Sequence, residues 1–509
     1  MSKLTRRGFL KAGGAVAALA PVRVSTTPTN AQARARRDSG SKPKNVLFLM
    51  SDQHRPHALG VDGDPLAKTP NLDSLARTAV RFDSAYCTDP LCVPSRASLL
   101  TGLYVHNHQT YNNGTPWPFE HKTMAHCFSS AGYLTGLIGK MHFVDAQTHG
   151  FDYHLEFNDW FQYLGPKTKM YAEELVDSNG GCGLPQIPGL WPDKRNPWTG
   201  FIERDDRLGL ITPGRVSSLA EEDHFESFVA RESIRFLKNH GKKQPFFLIS
   251  SFLRPHDPFT PAARFARMFP VSEMKLPPTW GKVDLSTVPR FIRESINNFW
   301  ICPEVRDPEK AKVYIAMYYA NLAEMDDNVG KILRTLQELD LDEDTIVLYT
   351  SDHGEMLGSH GLWQKMVFYE PSIGVPLMFR VPGANVANGR SKTLVSLTQL
   401  LPTLTDLCGL PTLPGLDGTS LRPYLTDPNR TVDTTIYAEN ELRSPHAGYM
   451  IRRGDFKYCY YINDTPEMYD LSSDPDEMKN LALLPQYKEK VEELKSALFA
   501  WHHASQSEL

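Results

Sequence analysis

Three segments of this chain carry residue types that can do chemistry together. Met50-Ser51-Asp52-Gln53 and Thr350-Ser351-Asp352-His353-Gly354 each end an apolar run in a carboxylate followed by another potential ligand. In open α/β sheets, ligands bind beyond the carboxyl ends of the strands. Two carboxylates delivered there, with a carboxamide and an imidazole beside them, make a divalent-cation site. Taken singly, each aspartate is better explained as a cap on the next helix, so only the pair points to a metal. The third segment is Leu91-Cys92-Val93-Pro94-Ser95-Arg96, running on to Leu100-Thr101-Gly102. Pro94 suits a first helical turn and Gly102 a stop, which sets Cys92 just ahead of a short helix. Free amides, the positive end of the helix dipole and Arg96 one turn on would hold an anion there and favour a reactive side chain. On spacing alone, a low-pKa thiol nucleophile and an inert buried cysteine stand level.

The elements that must position these residues are legible as runs. Asn45 to Met50 is continuously apolar, and Leu134–Ile138, Phe246–Ser250 and Thr345–Thr350 repeat the pattern, as buried strands of a parallel sheet do. Between them, Ala311 to Leu339 carries Leu322, Met325, Val329, Ile332, Leu333 and Leu336 at helical spacing. Alternating strands and helices predict an α/β fold with a central, mixed but largely parallel sheet flanked by helices. Residues 155–225 are loop-rich, with Trp160, Trp191 and Trp198, and read either as an insertion shaping a pocket mouth or as a surface excursion. Beyond Leu410 come short strand-like pieces (Thr435–Ala438, Tyr449–Arg452, Lys457–Ile462) and a helix over Pro485 to His502, a smaller C-terminal α+β subdomain. The expected division is a signal over 1–33, a flexible basic linker over 34–44, a catalytic domain over 45–410 and the subdomain over 411–509.

The 509 residues are 41% hydrophobic, with a formal charge of −4, which gives no basic field for nucleic acid. Thr5-Arg6-Arg7-Gly8-Phe9-Leu10-Lys11, the weakly apolar Ala12 to Val22 and Ala31-Gln32-Ala33 resemble a twin-arginine export signal with its cleavage site. The apolar run is too short to span a bilayer. The resemblance implies export of the folded protein to the periplasm or beyond, with the twin-arginine machinery as a partner. Loss of five basic residues with the signal leaves a mature charge of about −9. Seven cysteines are too few for a disulfide scaffold.

Cys92-Val93-Pro94-Ser95-Arg96 with Leu100-Thr101-Gly102 resembles the signature of type I, formylglycine-dependent sulfatases of the alkaline phosphatase-like superfamily. The similarity takes in Thr69-Pro70-Asn71-Leu72-Asp73, Gly139-Lys140-Met141-His142, Pro255-His256-Asp257-Pro258-Phe259, Ser351-Asp352-His353-Gly354 and His360 to Lys365. It continues through Tyr369-Glu370 and Met468-Tyr469-Asp470-Leu471. It implies that a formylglycine-generating enzyme oxidises Cys92 to 3-oxoalanine, whose hydrate is the nucleophile. Asp52, Gln53, Asp352 and His353 match the metal ligands, with the oxidised Cys92 completing the set. Arg96 matches the residue holding that side chain, and Lys140 and His142 the pair contacting hydrate and sulfate. His256 and Lys365 match the leaving-group side, and Asn113 a further substrate contact.

The implied reaction turns a sulfate monoester, of a small molecule or a sugar, into alcohol and inorganic sulfate. Cation, Arg96, Lys140 and Lys365 would stabilise developing negative charge, His256 would protonate the leaving oxygen, and His142 would deprotonate the second hydroxyl of the hydrate. Calcium is the family expectation. Gln53 and His353 stand where some members carry Asp and Asn, which leaves magnesium or manganese less excluded. Leu103 replaces the arginine that follows Thr-Gly in the family. A phosphonate monoester or phosphodiester hydrolase is the alternative within the superfamily, and a non-catalytic binder of sulfated glycans the alternative outside catalysis.

Overall fold

The run Asn45 to Asp52 is apolar throughout because both of its faces are covered. In a computed structural model of the chain, β1 (Asn45–Asp52) is buried along its whole length. Val46, Phe48 and Met50 pack into one core layer and Leu47 and Leu49 into the other, as the two-residue side-chain period of a strand requires. The structure describes residues 45–118, 120–144, 147–171, 214–298, 303–382, 389–430, 432, 434–444 and 446–506. The signal and linker expected over 1–44 therefore lie outside the described residues, as do Trp191 and Trp198.

The larger sheet has eight described strands in the order β4 (Tyr153–Leu155), β3 (Leu134–Gly139), β5 (Phe246–Pro255), β1, β6 (Thr345–Ser351), β7 (Gly374–Arg380), β2 (Val80–Tyr86), β8 (Gly389–Ser396). Pairing is parallel from β4 through β6, antiparallel on both sides of β7, and parallel again between β2 and β8. This is the mixed, largely parallel sheet anticipated from the alternating pattern. The helix Pro308–Glu338 covers one face, its Leu322, Met325, Val329 and Ile332 buried in the same layer as Leu47 and Leu49. On the other face, α2 (Cys92–Thr101) is buried at every position. A second, antiparallel sheet follows in the order β12 (Glu467–Asp470), β11 (Phe456–Tyr461), β10 (Gly448–Arg453), β9 (Thr435–Asn440). Helix Lys488–Gln506 lies on it, with Leu494 and Leu498 packed against Ile451, Tyr458 and Met468.

Trp160 is buried and lines a cavity with Tyr171, His224 and Arg254. It is 1% exposed, packs against Phe157, Phe161, Tyr171 and Phe225, and donates its indole N–H to the Asp223 carbonyl at 2.8 Å. An aromatic with a satisfied N–H is a core residue. Cys87, Cys92, Cys127, Cys408 and Cys459 are free thiols, and no described helix is long and apolar enough to cross a membrane.

One polar contact ties the two halves of the helical layer. α1 (Pro70–Ala76) starts at the Thr69-Pro70-Asn71-Leu72 segment, and its free amides are capped from a distance. Buried Asp326, on helix Pro308–Glu338, accepts from the Asn71 and Leu72 amides at 3.1 and 2.7 Å and from Asn71 Nδ2 at 2.8 Å. Asp326→Ala leaves these donors unsatisfied. The expected cost is about 2–3 kcal/mol, read as a lower urea midpoint with an unchanged slope. An unchanged midpoint would show that the cap is replaceable by water.

Candidate active site

β1 and β6 are hydrogen-bonded neighbours in register, Ser51 opposite Ser351. Their C-terminal ends therefore place Asp52 and Asp352 side by side, both fully buried. Two adjacent buried carboxylates need compensation. Arg96, one turn into α2, provides it: Nη2 donates to Asp52 Oδ2 at 2.8 Å and Nε to Asp352 Oδ2 at 2.7 Å. Its Nη1 bonds the Lys140 carbonyl and Ser251 Oγ. Lys140, where β3 ends, adds its ammonium to Asp52 Oδ2 at 2.7 Å. Burial would raise the Asp52 pKa, but Lys140, His256 and Arg96 overcome it and hold the carboxyl well below the usual range.

Cys92 opens α2 beside these groups. Its Sγ lies 3.3 Å from His353 Nε2 and 4.0 Å from both Asp52 Oδ1 and Lys140 Nζ. The thiol is pushed up to about 11, by burial first and the Asp52 charge second. A helix N-terminus and nearby cations do not produce a thiolate here, because Arg96 and Lys140 are engaged by carboxylates. This upward shift runs against the first of the two readings open from the sequence, the low-pKa thiol. Arg96 sits on the two aspartates, so its bonds position the acidic pair rather than reach outward to an anion.

The donor set fits a cation. One atom each from Asp52, Cys92, Asp352 and His353 lie within 4.8 Å of one another, all buried. His353 Nδ1 is 2.9 Å from the Gly354 carbonyl, which fixes the proton on Nδ1 and turns the Nε2 lone pair toward the aspartates. Burial keeps this imidazole below its ordinary pKa and hence neutral. Gln53, at a left-handed φ of 67°, accepts from Lys365 through Oε1 and donates to Glu355. Its carbonyl is held by Tyr318 Oη at 2.9 Å.

His256 and Lys365 meet on the opposite side. Lys365 Nζ is 2.9 Å from His256 Nε2, while His256 Nδ1 is 2.6 Å from the Asp257 carbonyl. His256 is therefore the neutral Nδ1–H tautomer, its pKa lowered well below normal by burial and Lys365. His142, at φ 65°, is lowered in the same way by burial, Lys140 and Arg96. Asn113 Oδ1 accepts from the Val93 amide at 3.0 Å and so holds the first turn of α2.

The fold thus brings together Asp52, Gln53, Cys92, Arg96, Lys140, His142, His256, Asp352, His353 and Lys365, with Asn113 supporting the helix. Sequence reasoning missed Glu355, Ser95, Ser251 and Tyr318. Ser95 Oγ donates to the Asp352 carbonyl at 2.5 Å, and buried Glu355 accepts from the amides of Leu357 and Gln364 besides Gln53. Glu355 follows Asp352-His353-Gly354 directly, and Ser95 precedes Arg96, so adjacency was the available signal.

Comparison with known proteins decides the family. The sulfatase family model matches residues 44–410, and the C-terminal model described as N-sulphoglucosamine sulphohydrolase matches 358–504. The chain belongs to the sulfatase family. It is a sulfuric ester hydrolase with the alkaline phosphatase-like fold. A choline-sulfatase of Rhizobium meliloti is 32% identical, over 87% of this chain and 83% of that protein. An arylsulfatase of Clostridium perfringens is 30% identical, over 89% and 93%. Among solved structures, the phosphonate monoester hydrolase of Agrobacterium radiobacter superposes with a TM-score of 0.76 at 25% identity, covering 91% of this chain and 96% of that one.

If Arg96 compensates the acidic pair, Arg96→Ala strands two buried carboxylates in this sulfatase. The expected loss in EDTA at pH 7 is about 3–5 kcal/mol of stability. Asp52 is depressed in the folded state, so its contribution is present above its unfolded pKa of about 3.9 and is lost as pH falls below it. The penalty should therefore shrink below pH 4. A penalty that does not vary between pH 3 and 7 would rule out this electrostatic origin.

Proposed function

We propose that this sulfatase hydrolyses a sulfate monoester with Cys92 converted to formylglycine and one divalent cation held by Asp52, Gln53, Asp352, His353 and the oxidised side chain. One observation carries the reading. Residue 92 opens α2 with its side-chain atom among two carboxylates, an imidazole and an ammonium, where burial pushes its thiol up rather than down. The site makes sense once that side chain is oxygen. Formylglycine at position 92 would supply, as its hydrate, an oxygen nucleophile toward sulfur and a second hydroxyl whose proton a neighbouring base can take. The cation supplies Lewis acidity toward sulfate and nucleophile oxygens. Calcium is our choice, with magnesium or manganese favoured more by Gln53 and His353 than in an all-oxygen site.

The chain's own residues do the rest. Lys140 neutralises charge at the nucleophile, and Arg96 keeps Asp52 ionised and both Asp52 and Asp352 aimed. His142, neutral at rest, takes the proton of the second hydroxyl. His256 is neutral as well, so the proton for the leaving oxygen is held on Lys365 Nζ and shared with His256 Nε2. This refines the assignment of His256 alone, made on the ordinary pKa of imidazole. The alcohol has a place to go: a cavity beside Lys365 is lined by Phe291, Trp363, Asn440, Glu441 and His446.

We further propose that residues 1–33 direct folded export to the periplasm, and that 45–410 and 411–509 act as catalytic domain and subdomain. The likeness to a phosphonate monoester hydrolase supports a second reading in which a phosphonate monoester or phosphodiester is turned over at the same centre.

Peptide mapping of active enzyme should find residue 92 as the aldehyde, and an unmodified thiol in fully active material would sink the mechanism. Lys365→Ala should lower kcat by about 10²–10⁴ on an alkyl sulfate and far less on 4-nitrophenyl sulfate, whose leaving group needs little protonation. Equal losses on both would remove Lys365 from proton transfer. A kcat/KM on phenyl phosphonate monoesters above that on sulfates would select the second reading.

A further inference from the structure

Away from the catalytic centre, three metal-ligating side chains from distant parts of the chain converge. His106 lies on α3 (Val105–His108), the short helix after α2; Glu439 is near the end of β9; His502 is near the end of helix Lys488–Gln506. One donor atom of each lies within 4.8 Å of the others. Glu439 Oε1 is 2.7 Å from His106 Nδ1 and 3.8 Å from His502 Nε2, and its Oε2 accepts from the His106 amide at 3.1 Å. The two imidazoles lie with centroids 5.1 Å apart and their planes tilted by 56°.

We infer that His106, Glu439 and His502 form a second metal site, for a borderline divalent cation of the zinc type. Donors bound to tetrahedral zinc at about 2.0–2.1 Å stand roughly 3.3 Å apart, and the observed 2.7 and 3.8 Å bracket that spacing. Two imidazoles and one carboxylate suit zinc and are poor for calcium, so this site and the oxygen-richer catalytic cluster discriminate between ions. Charge calls for a cation as well. The Glu439 side chain has no exposure and that of His106 only 3%. Both carboxylate oxygens of buried Asp89, next to the Thr88 whose carbonyl accepts from the Glu439 amide, lack a hydrogen-bond partner. His502, 15% exposed, leaves a way in for the ion and for a water as fourth ligand. Trp501 stands edge-on to His106 at 5.0 Å and supplies an apolar wall. The ion would staple the C-terminal helix to α3, which is bonded back to α2 through His108 and Ser98 at 2.9 Å.

The test uses the full mature enzyme stripped with EDTA, with Co²⁺ and Zn²⁺ as probes. The wild type should bind one equivalent of Zn²⁺ more than His502→Ala or Glu439→Gln, by elemental analysis after gel filtration. Its Co²⁺ form should show the intense visible bands of a tetrahedral centre, lost in both variants. Zn²⁺ should raise the wild-type Tm by about 5 °C and leave both variants unmoved. Asp352→Asn, altering the catalytic cluster, should keep the Co²⁺ bands and the Tm response. Equal Zn²⁺ content and equal Tm response in wild type and His502→Ala would overturn the site and leave a His106–Glu439 ion pair only.

Discussion

The buried alliance of Asp52, Asp352 and Arg96 is the constraint on which the rest of the molecule depends. Parallel pairing of β1 with β6 forces two carboxylates together at one end of the sheet, where neither could stay ionised alone. Arg96 bridges them from α2, and Lys140 reaches Asp52 from the end of β3. Four elements are therefore tied to one charge balance, and their relative placement cannot drift without stranding a buried charge. The acidic pair, ready for a cation, is a consequence of sheet register and the helix that crosses it.

The same arrangement explains why residue 92 is inert as encoded. A cysteine at a helix N-terminus ordinarily gains acidity, but here Arg96 and Lys140 are engaged by carboxylates, and burial and the Asp52 charge push the thiol up. His256 shows the complementary lesson. Bonded through Nδ1 to a carbonyl and facing an ammonium through Nε2, it is held as a proton acceptor at rest, which the ordinary pKa of imidazole alone does not reveal.

The larger sheet and the C-terminal sheet are cross-tied by buried polar contacts, among them Lys457, which bonds the Phe368 carbonyl and pairs with Glu370 and Glu477. A zinc staple at His106, Glu439 and His502 would add a third tie at the last helix, close behind the helix that carries Cys92.

By itself the sequence determined the sheet class, because fully buried strands must be apolar on both faces. It determined the long helix from its apolar spacing, and the identity of the acidic and cysteine segments from short motifs. Adjacent residues such as Asp52-Gln53 and Asp352-His353 were legible because strand ends deliver them as units. Only the tertiary structure decided partnership: that Arg96 serves the aspartates, that Lys365 meets His256, that Trp160 is buried, and that Glu355 and Tyr318 orient Gln53. It alone brought His106, Glu439 and His502 within reach of one ion. These depend on burial and on contacts across hundreds of residues, and a side chain's charge state is set by what the fold places against it rather than by its neighbours in the chain.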